Sequence, residues 1–125
     1  MSPVSEIVLV VDDDAAVRAA LKFVLEVEGF QVRLYDSSEA MLEAPDIPKR
    51  ACLVVDYRMP RIDGLELVAR LRERQVTLPA ILISARVNKQ LHRLAERSGM
   101  ADVLEKPFSD AALVDSIRNA LGPPA

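Results

Sequence analysis

The sequence predicts a doubly wound α/β domain in which five parallel strands alternate with five helices. Three observations lead there. Continuous apolar runs of strand length occur at Ile7–Val11, 51–55 and 80–83, as central parallel strands covered on both faces require. Two other runs, Gln31–Tyr35 and 101–104, are more polar and suit the edges of the same sheet. The segments between these runs carry apolar residues at helical spacing and end at recognisable stops. A chain of 125 residues fits one domain, with its core over 7–121 and residues 122–125 as a tail or the start of a linker.

The elements follow in order. Ile7–Val11 reads IVLVV. Residues 15–28 place Val17, Leu21, Val24 and Leu25 on one face, Asp14 is expected to cap them, and Gly29 stops them. Gln31–Tyr35 alternates, with Val32 and Leu34 apolar. Asp36 or Ser37 can cap a second helix, and Glu39 stands three residues after Asp36 as in a capping box. The third strand is 51–55. A helix of about three turns over 64–74 would bury Leu67, Val68 and Leu71. The fourth strand, 80–83, ends at Ser84. Residues 87–98 form a more polar helix with Leu91, Leu94 and Ala95 as its stripe and Gly99 as its stop. The fifth strand, 101–104, contains Asp102. Asp110–Leu121 sets Leu113, Ile117 and Leu121 at i, i+4 and i+8 before Gly122-Pro123-Pro124 ends it. Such alternation gives right-handed crossovers and helices on both faces, a three-layer sandwich. With the two polar strands at the edges, the order is the flavodoxin-like 2-1-3-4-5.

Composition narrows the function. The chain is 50% hydrophobic and 28% charged, with a net charge of −3, so no concentrated basic stripe is available for direct nucleic-acid binding. No apolar stretch approaches the roughly 20 residues that span a bilayer, and residues 1–6 lack the features of a signal peptide. The one cysteine, Cys52, excludes an internal disulfide and suits a reducing cytoplasm. Its neighbours Ala51, Leu53 and Val54 predict a buried, inert thiol.

In a doubly wound sheet, functional groups gather beyond the carboxyl ends of the strands. Here Asp12, Asp13 and Asp14 follow the first strand, Asp56 the third, Ser84 ends the fourth, and Glu105-Lys106-Pro107 follow the fifth. Bringing Asp12, Asp13 and Asp56 together is repulsive unless a cation relieves it. An all-oxygen site suits Mg²⁺, with Mn²⁺ able to substitute, and the absence of Cys and His from the motif disfavours Zn²⁺. A carboxylate that faces both metal and solvent can attack a phosphoryl donor, while Lys106 and the Ser84 hydroxyl neutralise and bind the phosphoryl oxygens.

These residues resemble the response-regulator receiver (CheY-like) domains of two-component signalling over residues 7–121. The resemblance rests on Val10-Val11-Asp12-Asp13-Asp14, on Val55-Asp56-Tyr57-Arg58-Met59-Pro60 with Asp63-Gly64, on Ile83-Ser84-Ala85, and on Glu105-Lys106-Pro107-Phe108. The Arg58-Met59-Pro60 and Glu105-to-Phe108 segments are most similar to receivers of the FixJ type, which usually precede a helix-turn-helix output domain. The resemblance implies that Asp56 is the phosphoacceptor. It implies that Asp13 ligates Mg²⁺ directly and Asp12 through water, with Asp56 and the main-chain carbonyl of Arg58 completing the protein ligands. Ser84 is then the switch hydroxyl, Lys106 the phosphoryl-binding cation, and Pro107 a cis proline. Arg58 and Arg86 border the phosphoryl group. The implied partners are a histidine kinase, an output domain or protein, and a second copy meeting through helix 4, strand 5 and helix 5, or through helix 1. Such a chain is a switch that assists only its own phosphorylation and dephosphorylation. One departure stands out: Val103 occupies the position, three before the lysine, where these domains often carry an aromatic that reports the state of the Ser/Thr.

Other readings compete. A haloacid-dehalogenase-type phosphatase needs an acid two residues beyond its nucleophile, where this chain has Arg58. A flavodoxin-like nucleotide binder needs a phosphate loop after the first strand, where three aspartates would repel the ligand. A degenerate receiver would bind partners without phosphorylation. His92, the only histidine, is expected to be an exposed residue of the fourth helix rather than a relay group. Tyr57 and Phe108 flank the rim, Asp14 is expected to serve as a cap, and Gly64 to accommodate unusual backbone angles in the loop after the third strand.

Overall fold

Period-two alternation splits each central strand between two helical layers, and the structure bears this out. A computed structural model describes residues 6–123; residues 1–5, expected to lack signal-peptide features, and 124–125, the end of the expected tail, lie outside the described residues. The elements run β1 Ile7–Val11, α1 Ala15–Val27, β2 Gln31–Tyr35, α2 Ser38–Glu43, β3 Cys52–Asp56, α3 Gly64–Glu73, β4 Ala80–Ser84, α4 Lys89–Arg97, β5 Asp102–Glu105 and α5 Asp110–Leu121. The strands form one sheet in the order β2-β1-β3-β4-β5, and every pairing is parallel.

Leu9, Val11, Leu53, Val55, Ala80 and Leu82 face α2, α3 and α4, where Met41, Leu67, Val68, Leu71, Leu91 and Ala95 meet them. Val8, Val10, Cys52, Val54, Ile81 and Ile83 face α1 and α5, against Leu21, Leu25, Leu113, Ile117 and Leu121. Burying such a side chain fully contributes about 1.5–3 kcal/mol, so the three central strands are the most firmly held part of the chain. Register then fixes the rim. Val11 lies opposite both Tyr35 and Val55, Asp56 opposite Ile83, and Ser84 opposite Glu105, so the strands that supply the site end together.

The structure changes four local expectations. Ser37 caps α2 by accepting the Ala40 amide; the box between Asp36 and Glu39 does not form, because Glu39 turns to Arg61, with Nε–Oε2 at 3.1 Å. Helix α4 begins at Lys89, not residue 87, because Asn88 takes the cap and accepts the Leu91 amide. Within the α4 stripe Leu91 and Ala95 are buried, while Leu94 is exposed. Gly64 has no left-handed φ; the positive φ of that loop falls on Arg61, at 68°. Gly64 is instead a site of close approach, since a Cβ there would lie 2.5 Å from the Asp56 carbonyl oxygen.

Candidate functional site

Asp12 leaves β1 at the buried centre of the sheet. Its Oδ1 accepts the Asp14 amide at 2.9 Å, and its carbonyl accepts Nη1 of Arg18 at 2.8 Å. Both bonds orient the residue before any ligand arrives. Asp14 turns away to cap α1, accepting the Ala16 and Val17 amides, which is the role expected of it. Asp13, between them, is exposed. Asp56 ends β3, with its side chain only 12% exposed. One carboxylate oxygen from each of Asp12, Asp13 and Asp56 lies within 4.8 Å of the others. Lys106 reaches over from the end of β5: Nζ is 3.5 Å from Asp56 Oδ1 and 3.8 Å from Asp12 Oδ2. The Lys106–Pro107 peptide is cis, as expected.

Electrostatics make the cluster unbalanced. Burial, reinforced by the Asp12 carboxylate, pushes the Asp56 carboxyl up to about 6 against the pull of Lys106. Burial likewise raises Asp12, opposed by the Asp14 amide and by Lys106. One ammonium faces three carboxylates, so the site is short of positive charge. An all-oxygen set of this kind fits a hard divalent cation.

The other expected residues divide. Ser84 is buried on the same rim, but its Oγ donates to the Arg86 carbonyl at 2.9 Å rather than turning to Asp56. Arg58 and Arg86 are exposed; the Arg58 guanidinium lies over the Tyr57 ring, 5.9 Å from its centroid. Tyr57 packs against one core layer and Phe108 against the other. Val103 is half-buried against the core, so no ring reports on Ser84 from that position. His92 is exposed on α4. Cys52 is buried, and burial pushes its thiol up to about 12, which leaves it inert. Arg18 of α1, which holds the Asp12 backbone, escaped the sequence reading, and no local pattern marks it. Glu105 was placed on the rim by its motif but without a role; it accepts the Val87 amide through Oε1 at 2.7 Å.

A parallel sheet of order 2-1-3-4-5 with this acidic rim defines a flavodoxin-like domain whose clustered aspartates could hold a metal ion beside a largely buried carboxylate and a lysine. The response regulator receiver domain model matches residues 8–118, and the chain belongs to that family, a signalling module of two-component systems. It is 42% identical over 120 residues to the transcriptional regulatory protein FixJ of Azorhizobium caulinodans, a match covering 96% of this chain and 57% of FixJ. A crystal structure of FixJ-N superposes with a TM-score of 0.86 at 35% identity, covering 94% of each chain. Full-length FixJ from B. japonicum gives a TM-score of 0.86 at 38% identity, covering 94% of this chain and 58% of the other. The chain therefore spans about half the length of the curated FixJ relatives it matches. Asp12, Asp13, Asp56, Ser84 and Lys106 are all present on the rim, so the degenerate-receiver reading has no support. The phosphatase reading fares no better, with Arg58 where its acid should stand. Among the described residues, no helix is long and apolar enough to cross a membrane.

Proposed function

We propose that Asp56 accepts a phosphoryl group from a histidine kinase and that this chain, a single receiver domain, switches conformation in response. The observation that carries the proposal is the meeting of Asp12, Asp13 and Asp56 oxygens within 4.8 Å beside Lys106. Asp12, Asp13, Asp56 and the main-chain carbonyl of Arg58 would hold Mg²⁺, or Mn²⁺ in its place. When bound, the ion supplies positive charge to the transferring phosphoryl oxygens. Above about pH 6 the Asp56 carboxylate is ionised and one of its oxygens forms the new P–O bond as the bond from phosphorus to the donor's leaving group breaks. Lys106 pairs with a phosphoryl oxygen in place of its present contact with Asp56. The Ser84 hydroxyl exchanges the Arg86 carbonyl for a second phosphoryl oxygen, biasing the loop between β4 and α4.

A surface of α4, β5 and α5, or of α1, where Phe23 and Val27 are exposed, then carries the change to an output domain or a second copy. The chain acts in the cytoplasm and turns over nothing but its own phosphoryl group. Intact-mass spectrometry with acetyl phosphate and Mg²⁺ tests the assignment. The wild type should gain one phosphoryl group and Asp56→Asn none. Equal modification of both, or of neither, would overturn it.

A further inference from the structure

Four residues, Ala85 to Asn88, join Ser84 at the end of β4 to the start of α4 at Lys89. Inside this stretch the hydrogen bonds are local. Ser84 Oγ donates to the Arg86 carbonyl at 2.9 Å, and Asn88 caps its own helix by accepting the Leu91 amide. Among the described residues, one hydrogen bond reaches the loop backbone from outside the β4–α4 segment: the Val87 amide donates to Oε1 of Glu105 at 2.7 Å. A carboxylate that accepts an amide at that distance makes a charge-assisted bond. Glu105 can make it because β5 pairs in parallel with β4 and sets Glu105 opposite Ser84, while the neighbouring Lys106 amide donates to the Ser84 carbonyl at 2.9 Å. The same dipeptide thus contacts the site through Lys106 and the loop through Glu105. Val103, two residues earlier, is half-buried in the core and does neither.

We infer that Glu105 is a positioning residue: its carboxylate pins the β4–α4 loop through the Val87 amide in the form that commits the Ser84 hydroxyl to Arg86. This rests on the reading of Asp56 as phosphoacceptor and of Ser84 as a ligand of the phosphoryl group. For Ser84 to donate to a phosphoryl oxygen, its proton must leave the Arg86 carbonyl. The Ser84–Arg86 turn must then rearrange, and Val87 is the next residue along. The Glu105 carboxylate stabilises the first loop form more than the second, so loss of the pin shifts the equilibrium toward the form in which Ser84 is free to reach the phosphoryl group.

The test compares wild type, Glu105→Ala and Glu105→Gln, since glutamine keeps an acceptor oxygen and alanine does not. Two readouts are taken on the full chain: hydrogen exchange at the Val87 amide without ligand, and calorimetric affinity for beryllofluoride with Mg²⁺ as a phosphoryl mimic. Glu105→Ala should exchange Val87 faster and bind beryllofluoride roughly three- to tenfold more tightly, the range a solvent-exposed hydrogen bond carries. Glu105→Gln should stay near wild type in both. Unchanged Val87 exchange in the alanine variant, unchanged or weaker beryllofluoride binding, or a glutamine variant that behaves like alanine overturns the inference alone. A wild type that does not bind beryllofluoride overturns the phosphoacceptor reading, and this inference with it.

Discussion

Replacing Asp56 with asparagine should stabilise the folded chain at alkaline pH when divalent cations are absent. The wild-type carboxyl is largely buried, 12% exposed, and shares a single lysine with the neighbouring Asp12 while Asp13 lies close by. Its protonation midpoint accordingly rises from the ordinary 3.8 to about 6. The fold therefore binds this proton more tightly than the unfolded chain does. The stability contributed by that proton is fully present below about pH 4 and is lost as pH rises through about 6. From 3.8 to about 6 corresponds to roughly 3 kcal/mol, and relaxation of the cluster and partial hydration reduce it, so a gain of about 1–3 kcal/mol is expected at pH 8. Asparagine has the same shape and no charge to strand.

Urea unfolding in EDTA at pH 8, 6 and 4 measures this. Asp56→Asn should exceed wild type by that amount at pH 8 and most of it at pH 6, and the gain should nearly vanish at pH 4. For a domain of this size the alkaline gain is on the order of 3–10 °C in Tm. A gain of equal size at pH 4 and pH 8 would point to packing instead of charge. A variant less stable than wild type at pH 8 would refute the electrostatic account outright.

Gly64→Ala should destabilise by about 1–3 kcal/mol in the same unfolding assay, because the new Cβ meets the Asp56 carbonyl oxygen at 2.5 Å and backbone cannot step aside cheaply; wild-type stability would show that the loop yields. Millimolar Mg²⁺ should raise the Tm of wild type, and Asp13→Ala should abolish the increment, with no shift in wild type counting against the cation site. Calorimetric Mg²⁺ affinity should weaken as pH falls below about 6, because the cation then competes with a proton on Asp56; a flat profile between pH 7 and 5 would contradict that. Leu53→Ala, at a fully buried position of β3, should cost about 2–5 kcal/mol, and a smaller loss in a chevron or urea series would mean the site collapses.

The strands and their order were legible because the signal there is continuous. IVLVV at β1 and the run through Val55 at β3 have no polar interruption, which only a two-sided core tolerates. Helix ends were harder where two cap residues stand side by side. Asp36 and Ser37 both have capping chemistry, and only the tertiary position of Glu39, drawn to Arg61, decides for Ser37. Likewise Val87 reads as helix by spacing, yet its amide goes to Glu105 and α4 starts two residues on. The placement of Asp12, Asp13, Asp56 and Lys106 followed from the rule that parallel strands end together. The direction of the Ser84 hydroxyl did not follow from any such rule, because a rotatable donor is set by whichever acceptor lies closest. Contacts such as Arg18 with the Asp12 carbonyl join elements whose approach no local pattern encodes.

The division between a fixed rim and a lightly tethered loop has an energetic origin. Asp12 and Asp56 sit at the ends of strands whose neighbours, Val11 and Val55, are fully buried and paired with one another. Moving either carboxylate by an ångström would disturb several side chains, each worth about 1.5–3 kcal/mol. The β4–α4 loop has no such anchor. Ala85, Arg86 and Asn88 are exposed, Val87 is partly buried, and α4 itself is held to the core mainly by Leu91 and Ala95. Displacing it sacrifices on the order of one or two net hydrogen bonds, about 1–3 kcal/mol, which is the scale that a single new bond from Ser84 to a phosphoryl oxygen can offset. Under the proposed phosphorylation of Asp56 the rim would therefore stay in place and the loop would shift, since the loop is held by an amount that one modification can offset.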